Sequence, residues 1–410
     1  MFPYSGNILT QTSAKNAYTL REIQLINSLA MLNNLSVIPL VQTFGHLEFI
    51  LKLKQFRFLR EVERYPQVIC PKHNMTLKML SEMLDQIINA HPESTMIHIG
   101  ADEVFYIGQC NTCRSIMHEK NISNDQLFLT HVKTIASLIK AKHPQLKVLI
   151  WDDGLRKIKE EELKNSNLSK LVEPVVWKYT TDVTLDINNE LLDKYSNVFK
   201  TLWFASAFKG ATGSFQYLPS ISHHVLNHES WMKTYNYYKY KGLVEGIFIT
   251  GWQRYDHFAM LCELLPVGIP SLAYSLAVLS GSEDLNSNTI VHLLDCKNYS
   301  FLTSVDIGMP YCKYPGAEVL EAVLKFHHFK RAYQKFKESS SVAGWLGNYN
   351  SDYNLSSPAI IDWVLTNLND FLSELAKWQG TYIKPLYRDI DKMMAIANRL
   401  FIMDNWPRRP

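Results

Sequence analysis

The chain has 410 residues, 47% of them hydrophobic and 20% charged, which is ordinary for a globular protein and enough for one large buried core or two smaller ones. A formal net charge of +3 leaves no broad basic footprint for nucleic acid, and no apolar run reaches the length of a membrane span. The opening Met1-Phe2-Pro3-Tyr4-Ser5-Gly6 lacks the basic and apolar regions of a secretory signal. Six cysteines in so long a chain make no dense disulfide framework, so cytosol or nucleus, both reducing, is expected.

In chain order, Leu20, Ile23, Ile26, Leu29 and Ala30 fall on one face of a helix predicted over Thr19 to Leu35. Val37 to Val41 reads as a buried strand, followed by Gln42, Thr43, Phe44, Gly45, His46 and Glu48. Leu77, Leu80, Met83, Leu84, Ile87 and Ile88 mark the next helix, closed by Pro92. Met96 to Ile99 is a second strand, ending in Gly100-Ala101-Asp102-Glu103. Ser123 and Gln126 form a capping box that opens a helix carrying Leu127, Val132, Ile135, Ala136 and Ile139. Strands are then expected at Lys147 to Ile150, Pro174 to Val176, Phe199 to Leu202 and Gly246 to Thr250, each ending in a tryptophan: Trp151, Trp177, Trp203 and Trp252. Met260 to Leu279 is long and apolar, but Glu263, Pro266 and Pro270 interrupt it, which suits a packed, kinked helix.

Strand and helix in alternation predict a parallel sheet, whose ligands bind at the carboxyl ends of its strands. That is where this chain gathers its unusual residues. Asp102 and Glu103 are adjacent carboxylates just beyond a buried strand. The charge on one opposes ionisation of the other, and burial raises the cost, so the pair is a candidate acid site. Four tryptophans at equivalent strand ends would line one pocket. Aromatic faces suit the C–H faces of a sugar, and carboxylates between them suit its hydroxyls. A carbohydrate-active barrel is the resulting expectation. Cys110 and Cys113 form one C-x-x-C, but no second ligand pair follows at finger spacing. They are read as two reduced thiols, the alternative being a zinc site, and no metal or cofactor is assigned.

His98-Ile99-Gly100-Ala101-Asp102-Glu103 resembles the signature of the family 20 glycoside hydrolases, the β-N-acetylhexosaminidases. Phe44-Gly45-His46 resembles the end of that family's Pro-Gly-His motif, and Trp151-Asp152-Asp153 its Trp-acid-acid segment. Val41 to His46, Ser206 to Gly213 and Thr250 to His257 resemble its nucleocytoplasmic branch; the likeness covers roughly residues 1–285. It implies a (β/α)8 TIM-barrel catalytic domain over 1–285 and substrate-assisted retaining hydrolysis of terminal N-acetylgalactosamine or N-acetylglucosamine from glycoconjugates. Glu103 would be the general acid, and Asp102 would orient the substrate's 2-acetamido group. Trp151, Trp177, Trp203 and Trp252 would wall the sugar site. Tyr179 would bond the acetamido carbonyl, His46 would sit beside Glu103, and Asp256 would take up hydroxyl recognition where the family often has a glutamate and this chain has Arg254. His98 is read as a core histidine. The open alternative is a weak or inactive sugar-binding protein on the same fold.

Only six strands are expected after residue 36, so the barrel is taken to lack its first one or two, as an N-terminally shortened form that is poorly soluble or inactive by itself, unless segments such as that near Ile8 supply them. Residues 300–410 show helical periodicity at Val319 to Phe336, Ile361 to Trp378 and Ile383 to Leu400. They form a C-terminal helical region expected to pack on the barrel or to offer a homodimer surface. The basic stretch Lys325 to Lys337 is read as a solvated helix face rather than a nucleic-acid site.

Overall fold

The computed structural model describes residues 2–239, 242–255, 262–281, 287–297, 312–347, 357–376 and 383–401. The chain divides into two compact units at Leu294 and Asp295.

The first unit is built on β3 (Met96–His98), β4 (Lys147–Trp151), β5 (Glu173–Trp177), β6 (Leu202–Lys209) and β7 (Val244–Gly251). They pair in parallel and in sequence order, and with their helices they make a partial (β/α) barrel. A separate antiparallel hairpin, β1 (Arg60–Val62) and β2 (Tyr65–Ile69), precedes the sheet. The two-residue period of the strands separates two cores. Val148, Ile150, Val176 and Phe204 join the large cluster that includes the helix residues Leu80, Leu84, Val132 and Ile135. Leu149, Trp151, Val175 and Ala205 form a second cluster on the other face, with Trp177, Trp203, Phe248 and Trp252 against it.

The capping box at Ser123 and Gln126 opens the helix Asn124–Lys142, both reciprocal bonds being 3.1 Å. A second box, Thr19 with Glu22, opens the helix Leu20–Leu32. Of that helix's apolar stripe only Ile23 is buried; Leu20, Ile26 and Leu29 stay exposed. The strand expected at Val37 to Val41 is reduced to one bridge, Leu40 with His98, flanked by Val41 N–H to His98 O and His98 N–H to Pro39 O, each 2.9 Å. Pro39 has no N–H to extend such a ladder. Near Ile8 the chain forms a helical turn, Gly6–Leu9, and not a strand. Pro266 opens the helix Leu265–Leu279 and Pro270 lies inside it. No helix among the described residues is long and apolar enough to cross a membrane.

One strand is displaced from its expected place. Phe199 to Leu202 is not β6; the strand begins at Leu202 and runs to Lys209. Trp203 therefore stands at its amino end. In register it faces Val175, while Trp177 faces Ala205 two residues further along.

In the second unit, helices Ala317–Lys337, Pro358–Leu375 and Ile383–Phe401 match the periodic segments. Phe329, Tyr333 and Phe336 of the first pack on Phe371 of the second. Cys296 and Cys312 form a disulfide, a pairing that nothing in the sequence pointed to.

Candidate active site

The segment after β3 turns sharply. Gly100, Ala101 and Glu103 all have positive φ, 66°, 66° and 50°, and so does His46 at 53°. The left-handed region costs a residue with a Cβ about 1 kcal/mol or more. Three such residues therefore meet at one place, held there by packing and hydrogen bonds. A Cβ on Gly45 would collide with the Asp102 carbonyl oxygen, and one on Gly100 with the Gln42 amide, so both glycines allow close backbone approach.

The Gln42 amide reads both sides of the turn: its Oε1 accepts from Ala101 N–H at 3.1 Å and its Nε2 donates to Asp102 Oδ1 at 2.9 Å. Thr43 Oγ1 donates to Ile99 O at 2.7 Å, and buried His131 meets Thr43 O at 2.9 Å. His46 Nε2 lies 3.0 Å from Glu103 Oε2 and 3.4 Å from Asp102 Oδ2. Burial alone would lower the pKa of His46; the Glu103 hydrogen bond and the charges of Asp102, Glu48 and Glu103 outweigh it and raise it to about 9. The Asp102 carboxyl is raised by burial, against the pull of His46 and Gln42.

The end of β4 supplies two carboxylates with opposite fates. Asp152 is fully buried and bound twice by Arg156, at 2.8 and 2.7 Å, with the Tyr195 hydroxyl 3.1 Å away. Among the described residues, Asp153 meets no cation at that range. It accepts from Glu103 N–H at 2.8 Å and from Trp177 Nε1–H at 3.2 Å. Burial pushes its carboxyl up to about 6, with the charges of Asp102 and Asp152 adding to the rise.

The aromatic residues follow in a run of contacts. The ring of Trp177 lies 5.3 Å from Tyr179, Trp252 Nε1 donates to Tyr179 Oη at 3.2 Å, and the rings of Trp252 and Trp151 are 6.0 Å apart. Trp151 is 4.4 Å from His98. His98 is buried, its pKa pushed down to about 3, and its Nδ1 accepts from Gly100 N–H at 3.0 Å. It is a neutral histidine holding the turn. Among the described residues, the buried Trp151 Nε1–H has no hydrogen-bond partner.

The structure thus brings together Asp102, Glu103, His46, Trp151, Trp177, Tyr179 and Trp252. Trp203 is not among them. Its Nε1–H donates to Glu173, the first residue of β5, at 2.8 Å, toward the amino ends of the strands. The expectation that it closes its strand over the pocket is corrected, because β6 starts where it was thought to stop. Asp256 lies outside the described residues. Sequence reasoning gave no role to Gln42, Asp153 or Lys209. Fully buried Lys209, last of β6, donates to Trp252 O at 2.6 Å. Gln42 stands two residues past the Leu40–His98 bridge and Asp153 two residues past β4, and that position near a strand's carboxyl end is the signal that could have marked them.

The description "Glycosyl hydrolase family 20, catalytic domain" matches residues 4–196. Hexosaminidase D of Homo sapiens is 39% identical over 411 residues, spanning 99% of this chain and 82% of that protein. Hexosaminidase D of Bos taurus is 47% identical over 280 residues, 68% of this chain and 80% of that protein. A solved exo-β-N-acetylglucosaminidase of Vibrio harveyi, in complex with N-acetylglucosamine, has a TM-score of 0.42 at 17% identity, covering 64% of this chain and 41% of that one.

Proposed function

The chain belongs to glycosyl hydrolase family 20 and is a glycoside hydrolase; on that premise we propose that it is a β-N-acetylhexosaminidase that removes terminal, non-reducing N-acetylgalactosamine or N-acetylglucosamine by substrate-assisted retaining catalysis. The observation that carries this reading is the meeting of Asp102 and Glu103 at His46, with Trp151, Trp177 and Trp252 alongside.

Retention with two neighbouring acids and no protein nucleophile is the exception to the usual two-carboxylate scheme. Glu103 gives its proton to the glycosidic oxygen as the bond to the anomeric carbon breaks. The substrate's own acetamido carbonyl oxygen forms the new bond to that carbon and closes an oxazolinium ring. Asp102 accepts a hydrogen bond from the acetamido N–H, so the nucleophile is held in place and the ring's positive charge is balanced. Glu103, now ionised, takes a proton from water as the water opens the ring, and configuration is retained.

Against burial, the Glu103 hydrogen bond and the charges of Asp102 and Glu48 raise His46 to about 9, so across the neutral range His46 is a charged hydrogen-bond donor to the Glu103 carboxyl. Asp153 fixes the Glu103 backbone and the Trp177 ring together, coupling the acid to one wall of the sugar site. Tyr179, its hydroxyl held neutral by burial, is available to the acetamido carbonyl.

The test is hydrolysis of nitrophenyl β-N-acetylgalactosaminide and β-N-acetylglucosaminide, side by side and across pH. Turnover of either with retained configuration in the first-formed sugar supports the proposal. Saturable binding of both with no turnover would leave a sugar-binding protein instead.

A further inference from the structure

The hairpin β1–β2 and the segment that follows the acid turn are joined by a cluster that the hydrolytic reaction does not use. Glu61 lies on β1, Cys70 just beyond β2, and Cys110 and Cys113 at the start of the helix Asn111–Lys120. Glu61, Cys70 and Cys113 are buried, and Cys110 is half-buried. Cys70 Sγ is 3.2 Å from Cys110 Sγ and 3.6 Å from Cys113 Sγ, and Cys113 Sγ is 3.3 Å from Glu61 Oε2. The four ligand atoms all lie within 4.8 Å of one another, and none of the three cysteines is in a disulfide.

We propose that Glu61, Cys70, Cys110 and Cys113 bind one structural zinc ion. Four ligands at about 2.0–2.3 Å in a tetrahedron sit roughly 3.5–3.8 Å from each other, close to the spacing found. The donor set fits a soft, thiolate-seeking divalent ion. Three protons leave as the thiols become thiolates, one sulfur–zinc bond forms at each, and the carboxylate supplies the fourth bond. A disulfide between Cys70 and Cys110 accounts for only two of the four groups. It would leave the Cys113 thiol and the buried Glu61 carboxylate facing each other, with no cation among the described residues within ion-pair distance of Glu61, and burying an unpaired charge is costly.

The second layer is also in place. The other oxygen of Glu61 accepts from Gln109 N–H at 2.6 Å and Cys110 N–H at 3.2 Å, and Cys110 Sγ accepts from Cys113 N–H at 3.3 Å. These amides open a ten-residue helix whose dipole favours negative charge at this end. Thr76 Oγ1 fixes the Cys70 carbonyl at 2.7 Å. The consequence reaches the acid turn: on the clamped hairpin, Gln67 Nε2 donates to the Glu103 carbonyl at 3.0 Å. The ion would tie the strand pair that supports Glu103 to the segment that follows it.

The test is elemental analysis of the full chain, purified without chelator or reductant. One zinc per chain is expected, falling to near zero in Cys70→Ser and Cys113→Ser and unchanged in Cys262→Ser, whose cysteine lies outside the cluster. Because the first two variants can fail to fold, the wild-type chain is also stripped and refilled with cobalt. Sulfur-to-cobalt charge transfer with the visible bands of a tetrahedral site is the expected spectrum, and melting of the stripped protein should fall and recover on adding zinc. Wild-type protein without stoichiometric metal, with Cys70 and Cys110 protected from alkylation as a disulfide, overturns the proposal. So does an iron–sulfur absorption spectrum.

Discussion

The two ends of the sheet use the same residue types in opposite ways. At the amino end, Trp203 donates to Glu173, Glu173 pairs with Lys147 at 3.2 Å, and Glu245 lies 3.9 Å from the same lysine. Two acids there share one lysine, all three side chains are partly exposed to solvent, and none of the three is left-handed. At the carboxyl end, Asp102 and Glu103 share one close cation, His46, while Asp153 accepts from the Glu103 N–H, on a backbone that is left-handed at three non-glycine positions. A tryptophan beside a carboxylate is therefore no sign of a site by itself. What separates the two ends is the excess of buried negative charge and the strain that holds it in place.

Substitutions can sharpen that contrast. The largest effect is expected for Glu103→Gln, which keeps the size and removes the proton. Its rate should fall roughly 10²- to 10⁴-fold, least for substrates with the best leaving groups. Equal losses for good and poor leaving groups would remove Glu103 from the role of acid. Asp102→Asn comes next: the charge that balances the oxazolinium ring is lost, and kcat should drop about 10²- to 10³-fold while KM changes little. A pure KM effect would mean that Asp102 only binds the ground state.

His46 offers a pH handle. Its folded pKa is raised to about 9 from an ordinary 6.5, so the stability it contributes is complete below about pH 6.5 and is lost as pH rises through 9. With a shift of that size the contribution is at most about 3 kcal/mol. Thermal melting of the wild type should fall from pH 7 to 9.5, and His46→Gln should flatten that part of the curve. An unchanged slope would detach His46 from the two acids. The smallest effect is expected at the other end of the sheet. Trp203→Phe should cost about 1 kcal/mol of stability for the lost hydrogen bond and leave kcat/KM as it was. A large loss of activity there would erase the distinction between the ends.

Much of this was legible in the sequence, for local reasons. Met96 to Ile99 is a short apolar run closed by glycine and two acids, and it became β3 and its turn. Ser123 and Gln126 announced their helix because a capping box needs only four residues. β6 misled because Ala205, Ser206 and Ala207 have poor strand propensity. Pairing with β5 on one side and β7 on the other overrides it, and the strand then runs past the segment that looked more apolar. Trp203 changed ends with it. The cysteine cluster was invisible for a different reason: Cys110 and Cys113 sit together, but Cys70 and Glu61 come from a hairpin about forty and fifty residues earlier, brought over by tertiary structure alone.

The central claim is that the carboxyl-end acids work on a nucleophile the substrate carries. It is tested most directly by comparing a nitrophenyl β-N-acetylhexosaminide with the plain β-hexoside bearing the same leaving group. The proposed mechanism predicts turnover of the first and none measurable for the second, since without the acetamido group nothing stands ready to attack the anomeric carbon. Comparable rates on both would contradict it and require a nucleophile from the protein itself.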